Sequence, residues 1–128
     1  MERRLMPGAG GLLGATAAVL GGLAVWWFSA AYDERHRAVL VSCIDLPANT
    51  GMRLGSWAVL CCGLLALVVP LLLRFAGRVR LDLLAVVAMV AGAALLAGGA
   101  YLVWDVRQGD RVSGQRICSG AAPLTALR

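Results

Sequence analysis

The sequence predicts an all-α membrane protein, a bundle of three transmembrane helices, and three observations carry that prediction. Three apolar runs each approach the roughly 20 residues needed to cross about 30 Å of hydrocarbon. None carries a charge in its interior, Arg74 and Asp82 standing at the ends of theirs. Only 15% of the 128 residues are charged while 60% are hydrophobic, against about one-quarter charged in ordinary soluble domains. Lipid offers no partner for an exposed backbone N–H or C=O, so runs of this length rich in Ala, Leu and Gly must be helical.

The first run covers about residues 8–32. Gly10, Gly14, Ala18 and Gly22 recur every four residues along it, a small-x-x-x-small pattern that lets another backbone approach closely. Its end is marked by Trp26, Trp27, Phe28 and Tyr32, and Trp and Tyr anchor at headgroup depth. Ser29-Ala30-Ala31 resembles a signal-peptide cleavage site, but the length of the run and the bulky Trp26-Trp27-Phe28 favour a retained span.

The second run, about 54–75, opens at Trp57 and carries Ala58, Cys62, Ala66 and Pro70 at the same spacing. Pro70 lacks an N–H, which predicts a kink and a freed Ala66 carbonyl. Cys61 and Cys62 are adjacent, with Cα atoms closer than a relaxed disulfide prefers, so both are expected to be reduced apolar residues. The third run, about 81–104, offers Ala88 with Gly92 and Ala94 with Gly98, and ends at Tyr101 and Trp104. Asp82 suits the positive start of that helix as a cap, within reach of Arg78 or Arg80.

The chain is thus expected to be a single membrane domain over 1–128, with an outer loop 33–53, an inner loop 76–80 and an outer tail 105–128. Three crossings put the N-terminus and inner loop on one side, and the long loop and tail on the other. The five Arg of the first side (3, 4, 74, 78, 80) crowd two short segments, while the seven of the second (35, 37, 53, 107, 111, 116, 128) are spread thinly. With the first helix opening at Arg3-Arg4, this density predicts a cytoplasmic N-terminus and an extracytoplasmic C-terminus. The odd number of crossings also brings Trp26, Trp27, Tyr32, Trp57, Tyr101 and Trp104 to one interface.

Parity places Cys43 in the loop and Cys118 in the tail on a common face, where they can form a disulfide. Closing a span of about 75 residues is worth about 4 kcal/mol by loop entropy, and an extracytoplasmic face would preserve the bond. Leu46-Pro47-Ala48-Asn49-Thr50-Gly51 resembles a sortase sorting pentapeptide with one residue too many, and is expected to be a Pro-Asn-Gly turn re-entering the membrane.

The chemistry-bearing residues are few. No Ser/His/Asp set, metal cluster, phosphate loop or C-x-x-C occurs, and His36 stands alone in a charged loop; no catalytic, cofactor-binding or metal residue is assigned. The net charge of +5, all twelve basic residues being Arg, reads as topology and headgroup contact rather than nucleic-acid binding. With Ala, Gly and Val abundant and Lys absent, the composition suggests the plasma membrane of a GC-rich bacterium. The expectation is a non-enzymatic accessory or assembly subunit of a larger membrane complex, touching lipid and either a membrane-protein partner or its own copies, with no small-molecule substrate. The alternatives are a small oligomeric channel or holin-like pore, in which only Thr16, Ser29 and Ser56 would interrupt an apolar lumen, and a membrane thiol-redox protein in which Cys43 and Cys118 exchange with a partner.

Overall fold

Each apolar run forms a helix, and the helices continue well past the end that carries the aromatic residues. The computed structural model describes residues 9–77 and 82–118; Arg3, Arg4, Arg78, Arg80 and Arg128 lie outside them. The elements are α1 (Ala9–Ser42), α2 (Thr50–Phe75) and α3 (Leu83–Val112), each long and apolar enough to cross a membrane. At 1.5 Å per residue, α1 is about 51 Å long and α3 about 45 Å, so both exceed the hydrocarbon by about 15–20 Å.

The expected outer loop 33–53 is therefore mostly helix, and only Cys43–Asn49 connects α1 to α2. Hydropathy marks where a chain leaves lipid, whereas a helix ends where its backbone is stopped. Asp33 to Ser42 contains no Gly or Pro, so nothing ends α1 at the interface. The stop comes at Cys43, whose φ is +54° and whose N–H donates to the Val39 carbonyl at 2.9 Å. That is the left-handed C-terminal cap usually given to glycine. The tail likewise begins as helix, α3 running to Val112 before Gly114 turns the chain at φ +93°.

The bundle interior is made of small residues in a heptad pattern. On α3, Ala85, Gly92, Gly99 and Val106 are buried at intervals of seven, and on α2 so are Met52, Val59, Ala66 and, interleaved, Ser56, Gly63, Pro70. This repeat keeps one seam facing its neighbour in a left-handed supercoil. A Cβ added to Gly63 would lie 2.5 Å from the Leu96 nitrogen, and one on Gly99 would lie 2.7 Å from the Leu60 nitrogen. The backbones of α2 and α3 therefore touch directly.

The expected four-residue stripes follow this seam only in part. A four-residue step advances about 40° beyond a full turn, so three steps swing a residue about 120° away. Gly10 and Gly14 are buried and Ala18 half-buried, but Gly22 is exposed, with nothing within 4 Å of an added Cβ. On α2, Ala66 is buried while Ala58 and Cys62 are half-buried. On α3, Ala88 and Gly92 are buried, whereas Ala94 and Gly98 face outward. The buried line of α1 is instead Gly11, Gly14, Gly21, Ala24, Phe28 and Ala31.

Close contacts fix the register. Gly11, Gly14 and Gly21 meet Ala85, Ala88 and Leu95 of α3, while Gly14, Gly21, Gly55 and Gly51 pair α1 with α2 at Pro70, Cys62, Phe28 and Ala31. Both series place Trp26, Trp27, Trp57, Tyr101 and Trp104 at one level, all exposed, with Tyr101 and Trp104 rings 6.0 Å apart. From that belt to the far ends of the helices is about 27 Å, close to one hydrocarbon thickness.

Helix α2 runs on through Pro70, and the Ala66 carbonyl that the missing N–H leaves without its helical donor lies on the side of Gly14, 3.5 Å from where a Cβ would be. Asp82 occupies the position just before α3, with ψ 160°, but its side chain makes no capping hydrogen bond; its stabilisation of α3 is electrostatic only.

Candidate functional site

Among the described residues, those beyond the aromatic belt gather into a head built from the end of α1, the Cys43–Asn49 connection, the start of α2 and the end of α3. Three ties hold it. The first is covalent: Cys43 and Cys118 form a disulfide, Cα atoms 5.3 Å apart. Beside it the connection and the tail pair as a short antiparallel bridge between Ile44 and Arg116, with the Asp45 N–H donating to the Gln115 carbonyl at 2.9 Å and the Ile117 N–H to the Cys43 carbonyl at 3.0 Å. This pairing brings the two cysteines side by side, at a separation a disulfide spans without backbone movement.

The second tie is Arg35. From α1 its Nε donates to the Leu46 carbonyl at 2.8 Å, and its guanidinium meets the Asp45 carboxylate at 2.8 Å, with both side chains about four-fifths buried. The third is Asp110 of α3, which reaches across to α2 and its approach. One carboxylate oxygen accepts the Ala48 N–H at 3.0 Å and the other meets Arg53, also at 3.0 Å. The Ala48 N–H, and then Arg53, hold the Asp110 carboxyl below the usual carboxylate range against the burial that would raise it. Asp110 stands outside the membrane-spanning segment, six residues beyond the end of the apolar run at Trp104.

Asn49 joins these ties to the bundle. The segment read as a Pro-Asn-Gly turn is the start of α2: the Asn49 carbonyl oxygen of the side chain accepts the Met52 N–H at 2.9 Å as an N-cap, and its amide donates to the Ala31 carbonyl at 3.0 Å. A small core of Phe28, Ala31, Ala48, Met52 and Val106 lies underneath.

Set beside known proteins, the chain matches no family model, no curated protein and no solved structure.

The residues singled out from the sequence fall into three groups. Cys43 and Cys118 meet in the head, and Trp26, Trp27, Tyr32, Trp57, Tyr101 and Trp104 are all exposed on the bundle beneath it. The small residues lie within the membrane-spanning part, as described above. Cys61 and Cys62 are free thiols, Cys61 exposed and Cys62 half-buried. His36 is exposed and stacks on Tyr32, ring centroids 6.3 Å apart. Among the described residues no group of His, Cys, Asp and Glu could hold a metal ion.

Sequence reasoning missed Arg35, Asp110 and the head's apolar surface. Leu40, Val41 and Ile117 are 65%, 84% and 56% exposed, and Leu40 and Ile117 line one shallow cleft with Val39. Val41 stands about 13 Å beyond Tyr32 along the helix axis, well past the aromatic belt. The signal was present: Val39-Leu40-Val41 is an apolar triplet inside a charged segment.

Proposed function

We propose that this chain is a non-enzymatic subunit of a larger membrane assembly and that its head is the docking surface. The observation that carries the reading is the conjunction of a head tied at three points with Leu40, Val41 and Ile117 exposed on it, beyond the aromatic belt. Exposed apolar surface outside the membrane is costly unless a partner covers it. The three ties spend their polar groups on holding that surface in one shape rather than on presenting reactive groups. The disulfide supports an extracytoplasmic head, since such bonds persist in oxidising compartments; the N-terminus of α1 then faces the cytoplasm and the chain resides in the cell membrane.

A pore draws less support. The hydroxyls of Thr16, Ser29 and Ser56 donate to carbonyls of their own helix at 2.7–2.9 Å, leaving little polarity for a lumen. The test is affinity capture from native membranes in mild detergent. The wild-type chain should carry a stoichiometric partner that is lost with Leu40→Glu plus Ile117→Glu while the disulfide is retained. Recovery of the wild-type chain as a monodisperse single protomer would refute the docking reading.

A further inference from the structure

The boundary between head and membrane carries a second surface feature, a cleft between α2 and α3 lined by Arg53, Trp57, Val103, Arg107 and Asp110. Its depth is set by the aromatic belt. Trp57 belongs to that belt, and Arg53 and Arg107 each stand one helical turn further out than Trp57 and Val103, about 6 Å along the axis. Phospholipid phosphates lie at that depth, just outside the hydrocarbon.

The charge at the cleft is unbalanced towards positive. Arg53, 55% exposed, commits one guanidinium nitrogen to Asp110 and keeps its remaining donors. The other oxygen of Asp110 is occupied by the Ala48 N–H. Arg107 is exposed and, among the described residues, makes no ion pair. Two guanidiniums and one carboxylate therefore face a site whose inner wall is Trp57 and Val103. A guanidinium matches phosphate oxygens with a planar fork of donors, and the apolar wall continues into the surface that meets acyl chains.

We propose that this cleft binds an anionic phospholipid, with Arg107 and Arg53 donating to the phosphate and Trp57 packing on the glycerol backbone and the first acyl carbons. The proposal rests on the membrane-spanning reading alone, and not on the docking surface. Its test uses the full chain with Trp26→Phe, Trp27→Phe and Trp104→Phe, leaving Trp57 as the only indole. The protein is reconstituted into phosphatidylcholine vesicles containing a small fraction of either phosphatidylglycerol or phosphatidylcholine brominated high on the acyl chain. The brominated phosphatidylglycerol should quench Trp57 at about fivefold lower mole fraction, the factor expected from about 1 kcal/mol for the single net positive charge that two guanidiniums and one carboxylate leave at the cleft. Arg107→Gln should remove that preference, whereas Arg37→Gln and Arg74→Gln, exposed basic positions outside the cleft, should leave it intact. Equal quenching by the two lipids in the otherwise wild-type chain, a preference undiminished by Arg107→Gln, or an equal loss from the distant substitutions would each overturn the proposal.

Discussion

Removing the head's disulfide separates two energies that meet at one residue. Cys43 and Cys118 are 75 positions apart, and closing a loop of that size removes chain entropy worth about 4 kcal/mol at 25 °C. That figure is a ceiling, because helices that stay inserted already restrict the unfolded chain. Cys43 itself sits at φ +54°, where a side chain costs about 1 kcal/mol relative to glycine. Cys118→Ser therefore forfeits up to about 4 kcal/mol, and Cys43→Ser the same, since it keeps the unfavourable backbone. Cys43→Gly should recover about 1 kcal/mol of the loss. Equilibrium unfolding in mixed dodecyl maltoside and dodecyl sulfate, followed by circular dichroism, should rank the variants as wild type, then Cys43→Gly, then the two serine variants together. Wild type under strong reductant should fall level with Cys118→Ser. Identical gel mobility of wild type and Cys43→Ser without reductant would show that the bond does not form, and a Cys43→Gly variant no more stable than Cys43→Ser would sink the conformational argument.

Other substitutions probe the remaining contacts. Gly63→Leu or Gly99→Leu would drive a side chain into the facing backbone and should cost about 1–3 kcal/mol, read by the same unfolding assay, whereas Gly22→Ala and Gly98→Ala meet open space and should be neutral or stabilising by up to about 1 kcal/mol. Arg35→Ala frees the Asp45 carboxylate and the Leu46 carbonyl together; faster hydrogen exchange at Asp45 and Ile117, with the spans unchanged, is the expected outcome. Asp110 binds protons less readily in the folded head than in the unfolded chain, where its value is near 3.8. Its contribution is therefore complete above about pH 5 and disappears as pH falls through the lowered folded value. Melting temperatures of wild type should drop over that acid window, and Asp110→Asn should flatten this component of the drop.

How much of this was legible in the residues depends on the range over which each signal acts. The spans were readable because crossing a bilayer is a demand on local composition, and each run meets it alone. The approach of Cys43 to Cys118 was readable from parity, which needs only a count of crossings. The packing stripes were only half readable. A four-residue repeat and a seven-residue repeat share Gly14, Ala66, Ala88 and Gly92, then part company at Gly22 and Gly98; only the neighbouring helix decides between them. The head was the least legible part. Arg35 and Asp110 look like any other charges in a solvated stretch, and their partners are mostly backbone groups, the Leu46 carbonyl and the Ala48 N–H, which no residue type announces. Asn49 shows the same limit: a turn signal and an N-cap signal use the same residue, and the helix that follows settles which it is.

The heptad of Gly and Ala along α3 inverts the usual relation between depth and freedom to vary. In a water-soluble domain the bulky residues fill the centre and the rind is permissive. Here the bulk faces lipid, where Leu, Val and Ile can replace one another with little consequence, and the axis is the intolerant part because every atom added there must push two main chains apart. Saturation mutagenesis should accordingly draw a map in which the narrowest size limits run up the bundle's centre line at Ala85, Gly92 and Gly99, while the lipid-facing positions accept any apolar residue of any volume.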